Sequence, residues 1–428
     1  MGQKKVLYFA ENAISPIQGG GIVVKAALDG LAPENLLGFY TYRNITPSPE
    51  FAPRFHLLPI LGTGSPSSQD LPRPLTLVAG ADPGGIITQL RSLGKRAATI
   101  ATQVLLPWLG SDQHYVDRLM AEDGFQPDLV YFSGLSLRTL RLAVGTAVAL
   151  NKPLVMLNMD DWMADESGHY GPLSGYWERQ IADTMKLAKP LVAYAYSNSP
   201  HLARRLSEKY GISHDTVNNA SPDLLKGRLT WSPPSRRSGL LLTFAGAMNW
   251  HLQGQTLVRV AEAVAELRTS CPVELRIFAP WEFAPLANQI SVPGAVTYCG
   301  FRSPSDLVDA YLESDFLVAT TTFLEKRIRL FRYSLATKLS DYLCVGRPVL
   351  AVGHPDWALS DYVDAHGCGI TVRTPDRSQL KAAIQRALVM SAEERERIGR
   401  ANRKLWEQAH DVRVMAKRLR EILGLPTD

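Results

Sequence analysis

FRYSLATKLSDYLCVGRPVLAV, residues Phe331 to Val352, decides how the rest of the chain is read. Leu335, Leu339, Tyr342 and Leu343 recur at helical spacing, so a helix is expected to start near Ser334 to Thr337. Those four share one face, and Thr337, Lys338 and Asp341 form an adjoining polar strip. Gly346 ends the helix, and Pro348-Val349-Leu350-Ala351-Val352 reads as a strand. A cation in a helix's first turn opposes the helix dipole by roughly 0.3–1 kcal/mol. Lys338 becomes sensible there if an anion such as phosphate docks at that end. The plainer reading, a solvated lysine on an ordinary amphipathic helix, stays open.

A chain of 428 residues implies two to three domains. With 46% hydrophobic and 20% charged residues it has the composition of a soluble globular protein. The net charge of +5, from 46 basic and 41 acidic residues, suits an anionic ligand or membrane surface. It does not match the concentrated basic face of a nucleic-acid-binding domain. Cys271, Cys299, Cys344 and Cys368 form no CxxC pair, so buried free thiols in a reducing compartment are expected, not disulfides or a zinc site. MGQKKVLYFAENA has too short an apolar run for a signal peptide and reads as a first strand. No run approaches the ~20 apolar residues that span a bilayer, and a cytoplasmic location is expected.

In the first half, the strand Val6–Ala10 is followed by Ser15-Pro16-Ile17-Gln18-Gly19-Gly20-Gly21 and a helical pattern from Ile22 through Leu28. Strand, glycine turn and helix is a common approach to phosphate, because glycine admits close backbone contact and the helix supplies N–H groups. The motif is neither GxGxxG nor a P-loop, and a flexible turn is the alternative. Residues 62–85 have loop composition. Leu90, Leu93, Ala97, Ile100 and Val104, with Arg91, Lys95 and Arg96, form a basic amphipathic pattern running into Trp108-Leu109. Residues 86–109 would either touch a membrane surface or cover a sheet.

Two buried strands are expected at 127–132 and 153–157, separated by a helix around Leu137 to Leu150. The second runs into Asn158-Met159-Asp160-Asp161-Trp162, at the strand end where doubly wound sheets gather ligands. Adjacent carboxylates raise each other's pKa, which would suit a general base for a hydroxyl nucleophile. An N-capping role for one aspartate is the competing reading. A helix through Ile181 to Leu191, a strand at 192–196 and a helix from His201 to Tyr210 complete an α/β pattern with a mostly parallel sheet.

Composition changes at 214–238, where Trp231-Ser232-Pro233-Pro234-Ser235-Arg236-Arg237-Ser238 follows Val217-Asn218-Asn219-Ala220. The expected division is a first domain at 1–215, a linker at 216–238, a second domain at 239–405 and a C-terminal helix at 406–428 packing back on the first domain. Leu240–Ala245 restarts the strand–helix pattern, and Gly246 opens the next loop.

This order of segments resembles the two-domain GT-B glycosyltransferases, particularly the group related to bacterial family-four enzymes. "FAGAMNW" looks like the strand and loop that open their donor domain. "VTYCGFRSPSDLVDAYLESDFLVAT" looks like their base-contacting loop, helix and following strand. "TKLSDYLCVGRPVLA" is similar to the family's "xKlxeYlaxGxPVla", "QGGG" to its glycine loop, and "AYSNSPHLARRLSEKYG" to the segment before the linker. The resemblance implies an α/β fold of two Rossmann-like domains facing each other across a cleft, with a nucleotide-sugar donor mainly on the second.

By position, the resemblance has Asp341 bonding the ribose hydroxyls and the Leu335 and Ala336 amides facing the diphosphate. Gly19, Gly20 and Gly21 would approach from the opposite side, Gly246 would open the donor loop, and Phe301 and Arg302 would lie against the base. No metal or other cofactor is implied, because helix dipole and cations neutralise the leaving diphosphate.

Three positions depart from the family pattern. The Arg and Lys-Gly after the donor-domain strand read Met248 and Gln253-Gly254, and the two glutamates eight positions apart read Tyr333 and Asp341. The histidine at a first-domain strand end reads Ser133. Lys338 and Arg332 are therefore the substitute cations, and Asp160 and Asp161 the candidate catalytic pair. Some GT-B enzymes, among them xanthan-type glucuronosyltransferases, invert with an aspartate base near this location.

The implied activity is metal-independent transfer from a nucleotide-sugar, by default a UDP-sugar, to a saccharide, lipid-linked or small-molecule hydroxyl acceptor. Polysaccharide, glycolipid or glycosylated-metabolite assembly would be its setting. A non-catalytic partner or scaffold subunit and a sugar-nucleotide epimerase are the alternatives.

Overall fold

The computed structural model describes residues 4–14, 19–29, 31–41, 47–58, 111–163, 174–228, 239–303 and 305–427. The expectations for Ser15–Gln18, the loop 62–85 and the amphipathic segment 86–109 lie outside them, as do 164–173 and 229–238. The described chain forms two compact units: the first half through Val217 with the terminal segment Ala416–Asp428, and Asn218–Met415.

The first unit is built on seven strands: β1 (Val6–Ala10), β2 (Leu36–Tyr40), β3 (Phe55–Leu57), β4 (Leu129–Ser133), β5 (Leu154–Asn158), β6 (Val192–Ser197) and β7 (His214–Thr216). They pair in the order β3-β2-β1-β4-β5-β6-β7, every pair parallel. Parallel strands covered on both faces need unbroken apolar runs, and Val6–Ala10 and Leu154–Asn158 are buried at every position. The helix Leu137–Leu150 begins where Ser136 Oγ accepts the Thr139 N–H and ends at left-handed Asn151. The helix Pro200–Tyr210 is capped by Ser199 Oγ and stopped by Gly211, at φ +60°. The helix expected through 181–191 runs earlier, over Ser174–Ala188. Within this unit Arg420 Nε donates to the Ala27 carbonyl at 3.0 Å, tying the terminal segment down.

The second unit repeats the plan with six parallel strands: β8 (Leu240–Ala245), β9 (Val273–Phe278), β10 (Val296–Tyr298), β11 (Phe316–Thr320), β12 (Val349–Val352) and β13 (Gly369–Val372). Their order is β10-β9-β8-β11-β12-β13. In both units the direction of winding reverses once, between β1 and β4 and between β8 and β11. Crevices at the carboxyl ends of such strand pairs are where doubly wound sheets take ligands.

The helix of the opening stretch starts at Lys338 and runs to Cys344, a turn shorter than its apolar spacing suggested. Leu335 lies before it outside regular structure, buried, and the periodic face continues as Leu339, Tyr342 and Leu343, all buried. Tyr342 hydroxyl donates to the Val318 carbonyl of β11 at 3.0 Å, which pins the helix beneath the β8/β11 reversal. Among the described residues no helix is long and apolar enough to cross a membrane.

Candidate functional site

In the second unit the carboxyl end of β8 carries Phe244, Ala245 and Gly246. The Lys338 Nζ rests 4.1 Å from the centroid of the Phe244 ring, a cation–π contact worth about 0.5–2 kcal/mol depending on desolvation. Gly246 has φ +135°, and a Cβ there would stand 2.8 Å from that amine. The backbone conformation calls for glycine here, and a methyl group would also make the lysine tip shift. The amine forms no ion pair with the described residues, and burial lowers its pKa to about 8 against the opposing pull of Asp341. The amine thus lies at the switch-point crevice against a ring, with Asp341 the charged group acting on it.

One turn along, burial raises the Asp341 carboxyl to about 7, while the nearby Ser221 hydroxyl and the Lys338 charge act downward. Ser221 Oγ in turn accepts the Trp406 indole N–H at 3.0 Å. Asn219 Nδ2 donates to the Leu335 carbonyl at 3.0 Å, so the turn before the helix is also held. The Leu335 and Ala336 amides make no backbone hydrogen bond among the described residues. Ser221 and Asn219 fall in the expected linker and Trp406 at the start of the expected C-terminal helix, and no local pattern in the sequence marks any of the three.

The remaining donor-side residues divide. Phe301, 64% exposed, and exposed Arg302 follow β10, leaving an aromatic face and a cation free to meet a planar group. Arg332 is engaged: its Nη2 bonds Glu325, and Asp356 lies 3.7 Å away. His354 Nε2 also meets Glu325, at 3.0 Å. Lys338, unlike Arg332, keeps its charge available for a ligand.

The first unit's reversal has the opposite electrostatics. Glu11, just past β1 and 3% exposed, accepts the Leu135 N–H and the hydroxyls of Ser136 and Thr139, both at 2.5 Å. Burial raises its pKa and these bonds pull it back. The N-terminus of the helix Leu137–Leu150 is thus filled by the chain's own carboxylate, and a phosphate there would meet repulsion. Gly19, Gly20 and Gly21 open the helix Gly19–Leu28 of this unit.

Asp160 and Asp161 follow β5 in the same unit. Asp161, 2% exposed, receives Arg205 Nε at 2.7 Å, which ties the strand end to the helix Pro200–Tyr210. Asp160 is half-buried beside it. The adjacent aspartates therefore occupy different environments, one inside an ion pair and one nearer solvent. Among the described residues no group of three or more His, Cys, Asp and Glu is arranged to hold a metal ion.

No protein-family model matches the sequence, and no curated protein matches it. Solved structures do match its fold over nearly the whole length. The Anabaena protein HepE in complex with UDP and glucose is 14% identical, with a TM-score of 0.56 over 98% of this chain and 99% of that one. Sucrose-phosphate synthase from Thermosynechococcus elongatus is 12% identical, with a TM-score of 0.61 over 99% and 98%. An α,α-trehalose-phosphate synthase (UDP-forming) from Burkholderia vietnamiensis is 12% identical, with a TM-score of 0.57 over 98% and 100%. With its two parallel sheets, the chain has the α/β, GT-B fold.

Proposed function

We propose that the chain is a glycosyltransferase that takes a nucleotide-sugar, by default a UDP-sugar, and passes the sugar to a hydroxyl acceptor. The observation that carries this reading is the Lys338 amine held against Phe244 at the β8/β11 reversal, without an anionic partner and with Asp341 one turn away. In this reading the amine meets the diphosphate and the aspartate accepts the ribose hydroxyls, while Phe301 and Arg302 flank the base. Charge on the diphosphate grows as the sugar leaves, so a fixed cation stabilises the transition state more than the ground state. No metal is assigned a role.

Several fold neighbours support the donor class: HepE has been solved with UDP-glucose, and the Burkholderia enzyme is described as UDP-forming. The self-capped Glu11 makes the first unit's own reversal unsuitable for phosphate, which favours the second unit for the donor. Of the two candidate bases we assign Asp160, which is half-buried where Asp161 is fully buried in its ion pair with Arg205. An aspartate base acting on an acceptor hydroxyl implies inversion at the sugar carbon. Polysaccharide, glycolipid or glycosylated-metabolite assembly is the proposed setting, with peripheral membrane contact through residues 86–109 as part of the same proposal.

Incubating the full chain with UDP-sugars and a panel of hydroxyl acceptors, and separating the products, tests the reading. A glycosylated acceptor with release of UDP supports it. Conversion of the donor to another sugar nucleotide without acceptor would make the chain an epimerase. Absence of turnover together with absence of thermal stabilisation by any nucleotide would leave a scaffold subunit.

A further inference from the structure

The tryptophans of the second unit divide. Trp357 and Trp406 are buried, whereas Trp281 is 64% exposed and Trp250 47%. With Phe301, these are the exposed Phe, Tyr and Trp side chains among the described residues of that unit. They follow β8 (Trp250), β9 (Trp281) and β10 (Phe301), and no such exposed ring follows β11, β12 or β13. The aromatic surface at the carboxyl ends therefore lies on one side of the β8/β11 reversal.

Trp281 and Phe301 leave from neighbouring strand ends. β9 and β10 stay bonded past their last residues, where Ala279 N–H donates to the Gly300 carbonyl at 3.2 Å. Phe301 comes next in its chain, and Trp281 opens the 3₁₀ turn Trp281–Phe283 after Pro280. Phe283 and Leu286 pack against the core beneath β8 and β9, so the turn is anchored while the indole at its start stays in solvent. Neighbouring strands are roughly 5 Å apart, which puts the ends of β9 and β10 roughly 5 and 10 Å along the sheet from β8. Lys338 meets Phe244 at β8. A nucleoside diphosphate with its phosphates at that amine carries its base one ribose further on, within reach of these strand ends.

We propose that Trp281 is a nucleobase-binding residue of the donor site, its indole stacking on the base alongside Phe301. The proposal rests on the donor reading above and extends it. There the base has Phe301 and Arg302; here a second ring, from β9, grips the base through its π-face, a contact that any planar base can make.

The test compares UDP with 5,6-dihydrouridine diphosphate, whose ring keeps uracil's hydrogen-bonding edge but is neither planar nor aromatic. Affinities of the full chain are measured by calorimetry in wild type, Trp281→Ala and Trp281→Phe. Wild type should prefer UDP. Trp281→Ala should weaken UDP roughly tenfold, within the range for one base stacked on an aromatic side chain, and leave the dihydro ligand within about twofold. Trp281→Phe should keep most of the preference. Unchanged UDP affinity in Trp281→Ala would overturn the stack, and so would an equal loss for both ligands, which a general disturbance of the loop would give. Fluorescence supplies an independent reading: UDP should quench wild type more than Trp281→Phe, and equal quenching would also overturn the stack. GDP and ADP are titrated alongside. If one of them binds and UDP does not, the loss in Trp281→Ala is read on that nucleotide against ribose 5-phosphate, which lacks the base, with the same expectation. If wild type binds none of the three nucleotides, the donor reading itself fails. If wild type binds and Trp281→Ala binds equally well, the donor reading stands and the stack alone is lost.

Discussion

Lys338 Nζ lies over the Phe244 ring at 4.1 Å, so the last buried aromatic of β8 and the first residue of the helix Lys338–Cys344 meet at the sheet's reversal. The contact solves a problem of placement. A helix that starts with a cation loses dipole energy, and the ring's negative face returns some of it while water is kept from the amine. What the ring does not supply is a counter-charge, and in the proposed reading the donor diphosphate supplies it.

The pH dependence of nucleotide binding follows from the two groups of this platform. Lys338 is charged below about 8, and Asp341 is charged above about 7, each displaced by burial. UDP affinity should therefore be greatest between those values. It should fall as pH rises through 8, when the amine loses its proton, and fall as pH drops through 7, when the carboxyl can no longer accept both ribose hydroxyls. Lys338→Arg keeps its charge at all accessible pH, so titrating UDP from pH 6 to 9.5 should show the alkaline limb vanish in that variant. An unchanged alkaline limb would assign it to another group.

Gly246→Ala tests the crowding around the amine. The new methyl group would stand 2.8 Å from Lys338 Nζ at φ +135°. Backbone strain of this kind costs about 1–3 kcal/mol, and the amine must also move off its ring. A lower melting temperature together with weaker UDP binding is expected. A variant with wild-type affinity would show that the amine's position does not matter.

The two aspartates after β5 should separate in different assays. Asp161→Asn weakens the pairing with Arg205 and should cost about 1.5–3 kcal/mol of stability, visible as a lower denaturation midpoint. Asp160→Asn should lose about 10²–10⁴-fold in kcat, the usual contribution of a general base. Full transfer activity in Asp160→Asn would remove it from the mechanism.

How legible the site was depended on the range of each interaction. The strands and their parallel arrangement were legible because Val6–Ala10, Leu154–Asn158, Leu240–Ala245 and Val349–Val352 are almost wholly apolar, a local signal of burial on both faces. Lys338 and Asp341 stood out because helical spacing placed both on one polar strip. Arg332 was the secondary candidate cation, yet Glu325 seven residues earlier claims it, and sequence offers no way to rank that pair over a ligand. Glu11 is satisfied by Ser136 and Thr139, more than a hundred residues on, and Ser221 meets Trp406 across a comparable gap. Such long-range partners leave no periodicity to detect. Asn219 and Ser221 carried the right chemistry but sat in a stretch whose composition pointed to a connector.

The most direct measurement is UDP affinity by calorimetry for wild type and Lys338→Ala at pH 7.5, where both platform groups are charged. If the amine is the diphosphate's counter-charge, wild type binds and the variant loses roughly tenfold to a hundredfold, the range expected for a charge-assisted hydrogen bond to phosphate. Equal affinity in the two proteins would contradict the account, because the Lys338 amine would then play no part in holding the diphosphate.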